Sequence, residues 1–267
     1  MSSNPKKLNK STYTAVLCVL GVMLAAALVF YYLPDFRFLS DATADGLIKE
    51  LIVRLIASLL MIFFIATSDD AGLLKPVFRA LPKNLAICLP CFAVAIVNFP
   101  FSALATGKAT VERTDLIALL IVDCFAIAFF EELFFRGMLQ RFIAHKFADK
   151  KANIFLTVVV TSVLFGLFHL INLASGAGVY GTLLQVVYTF LIGAMLSFMM
   201  LSTGDIWLCV LAHAVFDFGG AVVDKLGGGY IHDAIFWILT VAVGLLCGVY
   251  VIFGLIKMQK AQDKRID

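Results

Sequence analysis

Chemistry in this chain can come from a few polar residues set in apolar surroundings. Glu131 and Glu132 are adjacent, and Arg136 follows Glu132 by four residues. His169 lies four residues after Phe165, and His213 lies four before Asp217. Residues four apart share a helix face, so Glu132 can pair with Arg136 and Asp217 can fix the tautomer of His213. Glu131 is rotated by about 100° from Glu132 and is free to face another partner. A desolvated carboxylate without a cation becomes a better base, so the division suits hydrolysis. His169 adds a hydrogen bond or a metal ligand from another helix. Each element also has a plain structural reading: a helix clamp, a satisfied core histidine, a polar contact at a span end. Their coincidence in a chain with four histidines is what favours function. Asp123, deeper in the same segment as the glutamates, reads as a supporting group behind them.

The elements that must hold these residues are membrane helices. Of 267 residues 62% are hydrophobic, 25 are phenylalanine and only 15% are charged. A soluble domain is nearer half apolar and a quarter charged. The fold class is therefore all-α, a polytopic membrane protein of about eight transmembrane helices. Apolar runs near 14–33, 47–67, 84–104, 115–137, 154–173, 181–201, 206–223 and 231–256 are each about long enough to span. The first run is too long for a signal-peptide core and has no cleavage site after it. One membrane domain over 1–267 is expected, with the motif-bearing core at about 115–223. Each ionisable group inside the bilayer costs roughly 2.5–3.5 kcal/mol on insertion scales. Glu50 and Arg54, one turn apart at the start of the second run, can lower that cost by pairing.

Basic residues set the orientation. With eight spans and a cytoplasmic N-terminus, Lys6, Lys7, Lys10, Lys75, Arg79, Lys83, Arg141, Lys146, Lys150, Lys151, Lys257, Lys260, Lys264 and Arg265 fall inside. Only Arg37, Lys108, Arg113 and Lys225 fall outside. Positive loops are retained in the cytoplasm, so both termini are expected there, in a bacterial plasma membrane.

Other catalytic patterns fail. No histidine precedes a glutamate in an H-E-x-x-H arrangement, and Ser202-Thr203-Gly204-Asp205 lacks the first glycine of G-x-G-D. Ser175-Gly176 is a weak nucleophile candidate in a loop. Cys18, Cys88, Cys91, Cys124, Cys209 and Cys247 all lie in or beside apolar runs, and the C-x-x-C of Cys88 and Cys91 reads as packing. His145 and His232 read as solvated.

The three polar segments, in this order, resemble the CPBP family, the CaaX proteases and bacteriocin-processing enzymes also called Abi. Its signature is E-E-x-x-x-R, then F-x-x-x-H, then H-x-x-x-N or H-x-x-x-D. Here these read Glu131-Glu132 with Arg136, Phe165 with His169, and His213 with Asp217. The resemblance implies an intramembrane endopeptidase acting on membrane-associated or lipidated peptides, with no nucleic-acid partner. Carried over, Glu131 and His169 activate the water, His213 and Asp217 stabilise the oxyanion, and Glu132 and Arg136 hold the helix in register. The family is also labelled a metalloprotease; the favoured reading needs no cofactor, while the alternative is zinc held by Glu131, His169 and His213. Two other functions stay open: a catalytically silent scaffold or immunity protein of the same fold, and a proton-coupled transporter using the same residues as a relay. Bringing Glu131 level with His169 requires a long, tilted fourth helix running to about His145, beside a water-filled cavity.

Overall fold

A computed structural model describes residues 37–266, apart from 68–70, 77–79, 149 and 175. The first expected span, Lys6, Lys7, Lys10, Cys18, Arg79 and the Ser175 candidate therefore lie outside the described residues. In chain order the helices are α1 Ala42–Thr67, α2 Leu81–Val97, the short α3 Phe101–Ala105 and α4 Ile117–Glu132. There follow α5 Gln140–Lys146, α6 Asn153–Phe168, the single turn α7 Ile171–Ala174, α8 Val179–Thr203, α9 Ile206–Leu226 and α10 Ala234–Ile266. Among the described residues four segments are long and apolar enough to cross a membrane: Asn153–Ala174, Val179–Thr203, Ile206–Leu226 and Ala234–Lys264. They correspond to the expected fifth to eighth runs. The second to fourth runs fall on α1, on the shorter apolar α2 and on α4.

Large apolar side chains face outward along these helices, among them Leu89, Val187, Leu246 and Phe253. A protein bathed in water does not keep so much greasy surface. The surface and the helix lengths together make this an integral membrane protein.

One departure from the all-α expectation is a small antiparallel sheet. Strand β1 (Ala109–Val111) pairs with β2 (Gly227–Gly229), Thr110 opposite Gly228. Glycine is required in β2, because a Cβ on Gly227 would sit on the Thr110 carbonyl oxygen and Gly229 has φ of +109°.

The expected long fourth helix is present, with a defect in its middle. After α4 the backbone runs as a π-helix over Leu133–Leu139 before α5 continues to Lys146. Such segments are rare and concentrate at functional sites. Here it begins directly after the two glutamates and carries Arg136.

Close packing fixes the neighbours. α4 packs between α1 and α9, and α6 lies along α8. Gly166 lets α6 approach α8: a Cβ there would stand 2.8 Å from the Val186 carbonyl oxygen. Gly193 leaves room on α8 for Phe165 and Ser162. Small residues at such crossings drive helix association in lipid, where no hydrophobic effect separates helix from solvent. Thr161 and Ser162, buried in α6, spend their hydroxyls on the carbonyls of Thr157 and Val158. Cys88, Cys91, Cys209 and Cys247 are free thiols in an apolar cluster with Leu196 and Met199.

Candidate active site

Glu132 and Arg136 form the innermost pair, both fully buried. The Arg136 Nη1 donates to Glu132 Oε1 at 2.9 Å, and Nη2 donates to the Gly193 carbonyl at 3.2 Å. The guanidinium carbon lies 4.4 Å from the centre of the Phe165 ring, a cation–π contact shielded from water. One arginine thus ties the π segment to α6 and α8. The expected helix-clamping pair is present.

Glu132 does more than pair with Arg136. The same Oε1 lies 2.7 Å from His213 Nδ1. An ionised carboxylate only accepts, so Nδ1 carries a hydrogen and donates it. Asp217, expected to fix this imidazole, lies 3.4 Å from its other nitrogen, Nε2. The division between the two nitrogens has a geometric cause. A residue one turn along α9 meets the ring edge facing its own helix, while Nδ1 points across the interface to α4.

Glu131 is 4% exposed, with Oε2 3.9 Å from His213 Nε2. It does have a cation: Arg54 Nη1 stands 3.7 Å from Oε1. The expectation of a carboxylate free of cations therefore fails, and so does the pairing of Glu50 with Arg54. Glu50 pairs with Lys225 instead. Arg54 is turned toward the site, over the Phe130 ring. The sequence reading missed Arg54 as a site residue. Its signal was there: an arginine inside a span needs an acid, and the deepest acids are on α4.

His169 caps the C-terminal end of α6, half-buried. Its Nδ1 lies 3.0 Å from the Phe165 carbonyl oxygen, which can only accept. Nδ1 therefore holds a hydrogen and is spent on the backbone, leaving Nε2 for other contacts. Among the described residues no hydrogen bond or ion pair joins His169 to Glu131. The Phe165 ring stands between the two histidines, edge-to-face with His169 at 5.1 Å and with His213 at 5.7 Å. His145, expected in solvent, is half-buried with Nδ1 closed off, whereas His232 is exposed beside Trp237. Asp205, after Gly204, caps α9 by accepting from the Trp207 amide.

The donor set does not fit zinc as arranged. Among the described residues no group of three His, Cys, Asp or Glu side chains is arranged to hold a metal ion. His213 meets carboxylates at both nitrogens, and His169 stands beyond Phe165. What the arrangement offers is three carboxylates, two guanidiniums and an imidazole drawn from α1, α4, the π segment and α9. Such a cluster can abstract a proton at Glu131 and donate at His213 a few ångströms away.

Residues 113–219 match the family model for type II CAAX prenyl endopeptidases, Rce1-like. The match encloses every motif residue from Glu131 to Asp217. No curated protein and no solved structure matches the chain.

Proposed function

We propose, from the match of residues 113–219 to the Rce1-like family model, that this protein is an intramembrane endopeptidase that cleaves membrane-associated peptides bearing a prenylated C-terminal tail. The observation that carries the reading is the 3.9 Å approach of Glu131 to His213 Nε2, with Glu132 bonded to Nδ1 behind it. Glu131 accepts a proton from water as the water oxygen attacks the scissile carbonyl carbon. His169, its Nδ1 spent on the Phe165 carbonyl, comes to that water through Nε2 once the Phe165 ring between the two histidines gives way. His213, as the imidazolium, donates from Nε2 to the developing oxyanion, and Asp217 steadies that charged form. Glu131 then delivers its proton to the leaving amine, so no net proton is consumed in the step. Glu132 and Arg136 act through His213 and not on the substrate.

A prenylated peptide ending in C-a-a-X, offered to the protein in liposomes, tests the proposal. Release of the terminal tripeptide by wild type, and none by Glu131→Gln, is expected. Equal release by both would overturn it.

A further inference from the structure

A second polar layer lies on the same three helices as the site. Asp123 precedes Glu131 by eight residues on α4, and Lys225 follows Asp217 by eight on α9. Glu50 precedes Arg54 by one turn on α1. The helices α4 and α9 run in opposite senses, so the shifts bring Asp123, Lys225 and Glu50 together at one level. Glu50 and Lys225 are joined by an ion pair whose two side chains are 48% and 32% exposed. Asp123 is fully buried; its two carboxyl oxygens make no hydrogen bond of ordinary geometry, and the one side chain that approaches them as a partner is the Glu50 carboxyl. The charged groups around it are Glu50 and Arg54 from α1 and Lys225 from α9. At the inner end Arg54 reaches Glu131.

A buried carboxyl without hydrogen bonds of ordinary geometry is costly in an apolar bundle, and polar groups in this position are characteristically satisfied by ordered water. A hydrolase inside a bilayer also has a supply problem, because lipid excludes its second substrate. We infer that Glu50, Lys225, Asp123 and Arg54 line a water inlet running from the exposed Glu50–Lys225 pair to Glu131. The role assigned to the water rests on the hydrolytic function proposed above; the hydration of the path does not. Asp123 is on this account a positioning residue that holds water in line and never touches the peptide.

The two parts separate in one experiment. Asp123→Cys, reconstituted in liposomes, is treated with the charged thiol reagent MTSES, and labelling is mapped by mass spectrometry. Cys88 and Cys209, in dry apolar packing, serve as internal references. Labelling of the new cysteine at least about tenfold faster than the references is expected. Labelling no faster than Cys88 would overturn the inlet whatever the activity. Turnover provides the second arm, in case the cysteine variant does not fold. Asp123→Leu should lower kcat at least about tenfold at unchanged KM, and Asp123→Asn should restore most of it. Equal kcat in wild type and Asp123→Leu would also overturn the inlet. Labelling of Asp123→Cys alongside a wild type that cleaves nothing would leave the path standing and remove the proposed protease instead.

Discussion

At the scale of single residues, the two adjacent glutamates have different work. Glu131 faces a half-exposed arginine and the Nε2 edge of His213, whereas Glu132 is spent between Arg136 and Nδ1. Glutamine keeps the shape of glutamate and cannot take a proton. Glu131→Gln should therefore cut turnover by about 10²–10⁴ while the protein remains folded, as read by activity against thermal midpoint in detergent. Arg136→Ala should behave in the opposite way. It strands the Glu132 carboxylate in an interior without water, at a cost of about 3–5 kcal/mol, and should appear as lost yield and a lower midpoint. Normal abundance of Arg136→Ala with selective loss of cleavage would move the arginine into the reaction. The motif residues were legible in sequence because polar groups in apolar runs stand out. Their pairing was less legible. Spacing of four correctly joined Glu132 to Arg136, but it also suggested Glu50 with Arg54, where contacts between helices prevailed over contacts within one.

The secondary-structure elements position the site through their narrowest contacts. Gly166 lies against the backbone of α8, and no side chain there can swing aside to admit a methyl group. Gly166→Ala should cost about 1–3 kcal/mol by forcing α6 from α8 and displacing Phe165. Gly181, on α8 with nothing near its missing Cβ, provides the contrast. Gly181→Ala should be neutral or stabilising by up to about 1 kcal/mol through helix propensity. Detergent thermal scans of the two variants should therefore move in opposite directions; a shared direction would discredit the packing argument. Hydropathy located the helices well, since 20-residue apolar runs leave few other structures. The β1–β2 pairing was hidden, because three glycines carry no strand signal. The π segment was equally hidden: its sequence, Leu133 to Leu139, is as helical in composition as its flanks.

For the molecule as a whole, the end of the bundle near the small sheet is fastened by Asp233. Its Oδ1 accepts from Ser102 Oγ at 2.6 Å and from the Phe236 amide at 2.9 Å, and Oδ2 meets Lys108 at 3.3 Å. The Ser102 hydrogen bond, followed by the Phe236 amide, holds its carboxyl down at about 2. A carboxyl depressed in the folded state stabilises above its unfolded value of 3.8. That contribution falls away as the pH drops from about 3.8 through about 2. Wild type in detergent should lose thermal stability across this window, and Asp233→Asn should lose less of it. Parallel curves for the two proteins would exclude Asp233 as a contributor. The basic residues argue for both termini on the cytoplasmic side. Cysteines placed at Ser2 and Gln262 should then be protected from an impermeant reagent applied to the outer face, and labelling of either would reverse the topology.

The π segment has a consequence for length changes in this stretch. A π turn has an i to i+5 hydrogen bond and so uses more residues per revolution than an α turn. The helix from Ile117 to Lys146 is therefore two α-helical screws joined out of phase. Upstream of the join, Glu131 and Glu132 are set against α1 and α9; downstream, Gln140 donates to the Ser197 carbonyl on α8. Removing one residue, Met138 for instance, would let the join rewind as ordinary α-helix and turn one screw against the other. Either the glutamates would leave His213 or Gln140 would leave Ser197. A single-residue deletion in 133–139 should thus be far more damaging than a substitution at the same place. The helix works as a coupling with a fixed timing offset, and the offset is what lets one rod serve two faces of the bundle.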